Sequence, residues 1–285
     1  MALVVNGERI DDSEIAREVE RLRPRYEQVF ADKAPQEREE QLLHWSRENV
    51  IERTLLRQEA AKDCQPASEA EIEAAMENLG GRFDTAEAMY AALEVENDQQ
   101  ARAVVATQIR TQRKVEQVYA GLAAPSAEQI RAFYEQNKEQ FRSAEKVRVA
   151  HIVKHVTWQA NDTEAQEAMA QARQEIRDGA AFEAVVAKYS DCPDRGGDIG
   201  LVSRGELVEE FEDVVFKLQV GQVSDVFRTR FGYHIAKVYN RLPSAVLDLE
   251  HVKAKVVNEL TEKMRDQALG DYLDNLVGQA TIEEA

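Results

Sequence analysis

Four side chains in the middle of this sequence could do chemistry: His151, His155, Cys192 and His234. His151 and His155 stand four residues apart, a spacing that on a helix would bring both imidazoles to one metal ion. On an extended strand the same spacing sets them about 13 Å apart, at ~3.3 Å per residue, and no metal site results. Cys192 with a histidine and an aspartate could serve a thiol hydrolase. No oxyanion-hole signature accompanies it. The two cysteines, Cys64 and Cys192, are far apart in sequence, so neither a disulfide framework nor a zinc site is expected. The sequence calls for no metal and no cofactor.

The elements around these residues decide between the readings. Val147-Arg-Val-Ala-His-Ile-Val-Lys-His-Val156 is rich in β-branched residues and apolar on both faces, which predicts a central strand carrying His151. Helices are expected from about Thr163 to Arg177 and from Phe182 to Tyr189. The run Ser190 to Gly200 is too rich in glycine for an element interior. A helix over 208–218 and a hairpin, Val223 to Arg228 with Tyr233 to Tyr239, complete this segment.

Before it, Leu3 to Ile10 reads as two short strands about an Asn6-Gly7 turn. Asp11 and Glu14 could form a capping box for a helix that runs to Pro24. Further helices are expected over about 37–62, from Ser68 to Gly80, over 85–94 and 97–120, and from Ser126 to near Phe141. Beyond Pro243 the apolar positions Val252, Val256, Leu260, Met264, Tyr272 and Leu276 mark one amphipathic helix over about 246–278.

Composition agrees with a folded chain of more than one core. The 285 residues are 44% hydrophobic and 31% charged, which excludes global disorder. No apolar run reaches the ~18 residues of a membrane span. The formal charge of −17, from 36 basic and 53 acidic residues, argues against a nucleic-acid partner. Seven of the 13 glycines fall in 146–243, so the middle differs in kind from its charged flanks. The start Met1-Ala2-Leu3-Val4-Val5 lacks a basic region and an apolar core, so the reading is cytoplasmic. An extracytoplasmic form with a trimmed start is the alternative.

The middle segment resembles the parvulin family of peptidyl-prolyl cis/trans isomerases, over about 95 residues. The resemblance rests on Val149-Ala-His-Ile-Val, on Phe182 to Tyr189 and on Tyr189-Ser-Asp-Cys192. It continues in Gly196-Gly-Asp-Ile-Gly-Leu-Val-Ser-Arg-Gly205, Phe211 in Glu-Glu-Phe-Glu-Asp, Gly221-Gln-Val-Ser-Asp-Val and Phe231-Gly-Tyr-His-Ile. The flanks are similar to the helical module of the SurA and PrsA chaperones, through Val5-Asn-Gly-Glu-Arg-Ile10 and Ile130 to Phe141. The nitrogenase-maturation parvulins share this layout.

The resemblance implies an α+β chain in three stretches: a helical module over 1–143, the isomerase over 144–243, and a C-terminal helix over 244–285 packing back on the first. It implies His151 and His234 as a hydrogen-bonded polar floor with Cys192 above them. Ile199, Val202, Leu207, Phe211, Thr229 and Phe231 would bind substrate, with Leu207 where many parvulins carry methionine. Plain core packing is the competing reading for the apolar members, and a purely structural role competes for the histidines. The implied partners are unfolded or maturing polypeptides containing X-Pro, with a homodimer as an option for the C-terminal stripe. A holdase or client-specific assembly factor is the alternative function. Phosphate-directed parvulins place a basic cluster after the first strand. Here Lys154 stands alone, so no phosphopeptide preference is expected. Trp158 and Phe231 suggest apolar or aromatic residues before proline.

Overall fold

The computed structural model describes residues 3–156 and 162–284. The chain divides into two compact units, one of Met1–Ala127 with Val257–Ala285, the other of Glu128–Val256.

The first unit is mainly helical. β1 (Leu3–Val5) and β2 (Glu8–Ile10) pair antiparallel about Asn6 and Gly7, both at positive φ. The Asn-Gly pair suits such a turn because both residues tolerate that backbone. α1 (Asp12–Val29) and α2 (Pro35–Asp63) follow, then α3 (Glu69–Gly80), α4 (Ala86–Leu93) and α5 (Asp98–Ala120). Ser68 and Glu71 form the reciprocal capping box at the start of α3. Asp11 does not cap α1 with its side chain.

Pro24 does not end α1, which runs five residues past it. Proline removes one helical hydrogen bond, but tertiary contacts hold the last turn. Tyr26 is buried there against Phe30 and Trp45, and its hydroxyl bonds Gln41. A further strand, β7 (Ile282–Glu284), was not expected; it pairs antiparallel with β1 and makes the sheet order β2-β1-β7.

The second unit is built on a four-stranded antiparallel sheet of order β4-β3-β6-β5. β3 (Lys146–His155) and β6 (Gly232–Leu242) lie at its centre; β4 is Asp198–Ser203 and β5 is Phe227–Thr229. On one face Ala150, Ile152, Tyr233 and Ile235 pack against Met169 of α7 (Asp162–Arg177) and Val186 of α8 (Phe182–Tyr189). On the other, Val147, Val149, Ala236 and Val238 pack against Phe211 and Val215 of α9 (Glu209–Val215). Alternation along each strand makes these two cores, one per face.

Two details differ from the expected hairpin and helix. α9 is shorter than 208–218, and β5 begins only at Phe227. Upstream, Ala236 N–H donates to Ser224 Oγ, so a side chain takes the place of a ladder carbonyl. Only an isolated bridge, Val223 to Lys237, forms there.

α6 (Ala127–Gln136) leads into a 3₁₀ turn, Lys138–Phe141, and α10 runs Leu249–Gln279. The second unit, Glu128–Val256, contains the 144–243 stretch read from sequence. In it the Tyr134 ring packs on buried Phe141 and its hydroxyl donates to the Leu247 carbonyl. These segments on both sides of the four-stranded sheet thereby fasten to each other within the second unit.

Candidate active site

The site grows from the sheet register. In the β3–β6 ladder Val153 stands opposite His234, and Ala236 opposite His151. His151 and His234 are therefore diagonal neighbours on one face, within side-chain reach. Their Nδ1 atoms lie 3.4 Å apart and the rings stack at 5.5 Å. Thr229 Oγ1 accepts the Phe231 N–H at 3.1 Å and lies 2.9 Å from His234 Nε2. Each group is satisfied when the hydroxyl proton goes to His234 Nε2, leaving the His234 Nδ1 hydrogen facing His151.

Burial pushes the His151 imidazole down to about 4, with a smaller contribution from His155. His234 also falls to about 4, by burial first and by its two histidine neighbours second. Both rings are neutral at pH 7. Turnover should therefore stay level from pH 8 to about 5, since neither ring titrates over that range. The unfolded chain binds more protons between pH 4 and 6.5, so stability is lost as pH falls through that window. NMR titration of the two imidazoles checks this; a value above about 6 for either would overturn the neutral pair.

Phe211 closes the apolar side. Its ring meets His151 and His234 edge-on, at 5.8 and 5.5 Å, and packs on Phe227 at 5.4 Å. A cleft of about 640 Å³ opens over this floor, lined by His151, His234, Ile199, Leu207, Phe211 and Phe231. Glu206, Glu209, Glu210 and Arg230, all exposed, line it as well.

Three residues expected at the site do not line the cleft. Val202 is buried in the core beneath the cleft and does not line it. Thr229 is buried too, acting on His234 from below. Cys192 is exposed and outside the cleft lining, with Sγ 3.6 Å from His155 Nε2. The reason is local. Asp191 accepts the His155 N–H and pairs with Lys154, while Ser190 Oγ accepts the Val153 and Cys192 N–H groups. These bonds pin the Ser190–Cys192 turn to the end of β3. His155 Nδ1 in turn lies 3.2 Å from the Phe231 carbonyl.

Sequence reasoning missed Phe227, Arg230 and Glu212 as contributors. Glu212 lies within an acidic run, which reads as a solvated face, yet it is buried. The glycine motifs did signal close approach. A Cβ on Gly197 would lie 2.1 Å from the His151 carbonyl oxygen, and one on Gly232 the same distance from that of Lys154. Only glycine lets those turns press on β3. Trp158 lies outside the described residues.

Residues 151–240 match the family model for the rotamase, PPIC-type PPIase domain. The chain carries a parvulin-type isomerase domain. A protein of Azotobacter chroococcum mcd 1, provisionally named peptidyl-prolyl cis-trans isomerase NifM, is 28% identical over 251 residues, covering 83% of this chain and 84% of that one. Chaperone SurA of Chromobacterium violaceum is 32% identical over 136 residues, 47% of this chain and 32% of its own length. Foldase protein PrsA of Geobacillus is 35% identical over 109 residues, 37% and 36% of the two chains. The chain thus spans about a third of the SurA and PrsA relatives it matches. The parvulin resemblance and the α+β class read from sequence both hold, and the isomerase assignment is supported. Among the described residues no helix is long and apolar enough to cross a membrane.

Proposed function

We propose that this chain is a peptidyl-prolyl cis/trans isomerase acting on unfolded or maturing polypeptides that contain X-Pro, by a non-covalent route. The barrier to rotation is roughly 20 kcal/mol and arises from amide resonance. Catalysis requires no bond to break, only that the twisted amide be bound better than either planar form. The observation that carries the reading is the neutral His151–His234 pair beneath a cleft walled by Leu207 and Phe211. The apolar walls suit the proline ring. The floor offers fixed dipoles in place of water to the twisted amide. Cys192, exposed and partnered by His155, has no step to perform in it. A protease-coupled assay on Ala-Pro peptides tests the activity; absence of turnover by the intact chain would overturn it.

Selectivity against phosphate follows from the lining. Three exposed carboxylates face a single guanidinium there, and Arg230 stacks over Phe231 at 5.0 Å. A phosphoserine-proline peptide should be turned over no faster than its unphosphorylated twin, and more slowly at low salt, where repulsion is least screened. A gain on phosphorylation would mean that Arg230 or Lys154 supplies an anion site. Phe231, half exposed on the cleft, supports a preference for apolar or aromatic residues before proline.

A client-specific assembly factor is the second reading, through the layout shared with the nitrogenase-maturation parvulins. Aggregation suppression on a proline-poor client separates chaperoning from isomerisation. Cell fractionation decides between a cytoplasmic and an extracytoplasmic site of action.

A further inference from the structure

Glu212 stands in the middle of α9, directly after Phe211, yet its side chain neither faces solvent nor lines the cleft. A buried carboxylate is costly unless its oxygens are bonded. Here Oε1 accepts two backbone hydrogens from the segment preceding the helix, Gly205 N–H at 2.7 Å and Leu207 N–H at 2.9 Å. Gly205 sits at φ +89°, a backbone that favours glycine, so the segment turns sharply where the carboxylate holds it. The same turn is tied at its other end, where Ser203 N–H donates to Glu206 Oε2 at 3.0 Å.

These contacts join two walls of one cleft. Phe211 lines it from α9, and Glu206 and Leu207 line it from the turn. Glu212 fastens the turn to the helix by hydrogen bonds, beside the Arg204 guanidinium stacked over Phe216 at 4.4 Å. We propose that Glu212 is a positioning residue that sets the distance between the Leu207 and Phe211 walls and so the grip on the proline ring. This role rests on the isomerase reading above. Both bonds end on one oxygen, while, against the upward push of burial, the Glu206 N–H and the Arg204 charge help hold the carboxyl below its usual range, so the acceptor and the charge are separable by substitution. Glutamine at this position can present its carbonyl oxygen to both N–H groups. Aspartate is one methylene too short.

The test measures steady-state isomerisation of an Ala-Pro peptide and amide hydrogen exchange at Gly205 and Leu207 in the full chain. Glu212→Ala should raise KM about tenfold, with a smaller change in kcat, and remove the protection of both amides. Glu212→Gln should stay within about threefold of the starting protein in KM and keep both amides protected. Should Glu212→Ala fail to fold, Glu212→Asp provides the same contrast with Glu212→Gln. Equal damage from Gln and Ala in a folded protein would overturn the proposal, since charge and not the acceptor oxygen would then matter. Unchanged KM and protection in Glu212→Ala would overturn it outright. If the starting protein shows no turnover, the isomerase reading fails, while amide protection in the variants still decides whether Glu212 holds the turn.

Discussion

Phe211→Ala is expected to lower kcat/KM for X-Pro peptides by about a hundredfold, the rate equivalent of losing roughly 3 kcal/mol of aromatic contact. The ring is 3% exposed and touches both histidines and Phe227, so its loss opens the cleft floor and wets the imidazoles together. The same residue belongs to the core, and some loss of melting temperature will accompany the change. Phe211→Leu separates the effects: it refills much of the volume and should recover stability more fully than activity. Cys192→Ala provides the opposite contrast. The thiol is exposed, and its removal should cost less than about tenfold, with fold intact. Full loss of turnover in folded Cys192→Ala, with Phe211→Ala still active, would sink the non-covalent mechanism.

The second large effect is architectural. Removing residues 257–285 should unfold or aggregate the helical unit while the 128–256 unit keeps its fold and its turnover. The deletion takes away β7, whose register with β1 runs Leu3 to Glu284 and Val5 to Ile282. It removes Leu276, Val277 and Ala280 from the cluster of Leu3, Val5, Ile10, Ile15, Val50 and Leu55. Asn6 also loses both bonds to Thr281, its N–H to the carbonyl and its Oδ1 to the Thr281 N–H. Apolar surface is worth about 25 cal/mol per Å², and a domain is stable by only about 5–15 kcal/mol. Circular dichroism melts of the intact chain, the 1–256 truncation and the isolated 128–256 segment check this. A truncated chain that stays soluble with its full helical melt would show that the C-terminal helix is dispensable to the first unit. A melt that rises with protein concentration in the intact chain would indicate a dimer through that helix instead.

The difference between these two predictions follows what sequence can and cannot encode. The run Val147 to Val156 determined a central strand by itself, because β-branched residues apolar on both faces suit a sheet covered twice. Alternation then put His151 on the face of Val147 and Val149, and the motif glycines marked where turns press on that strand. The pairing of His151 with His234, and Phe211 as their apolar neighbour, were legible through ordered motifs. Ser68 and Glu71 fixed a helix start through bonds only three residues long.

What the tertiary structure decided were contacts with no local signal. Pro24 ought to end a helix, and the packing of Tyr26 on Trp45 carries α1 past it. β7 exists because β1 offers its edge, with Glu284 paired to Leu3, 281 residues earlier in sequence. The resemblance implies Cys192 above His151 and His234; the Ser190 and Asp191 bonds to β3 are what set its thiol against His155. Glu212 looks in sequence like Glu209, Glu210 and Asp213 around it. Only the return of the Gly205–Leu207 turn onto α9 buries that one carboxylate, because two N–H groups left without strand or helix partners needed an acceptor there.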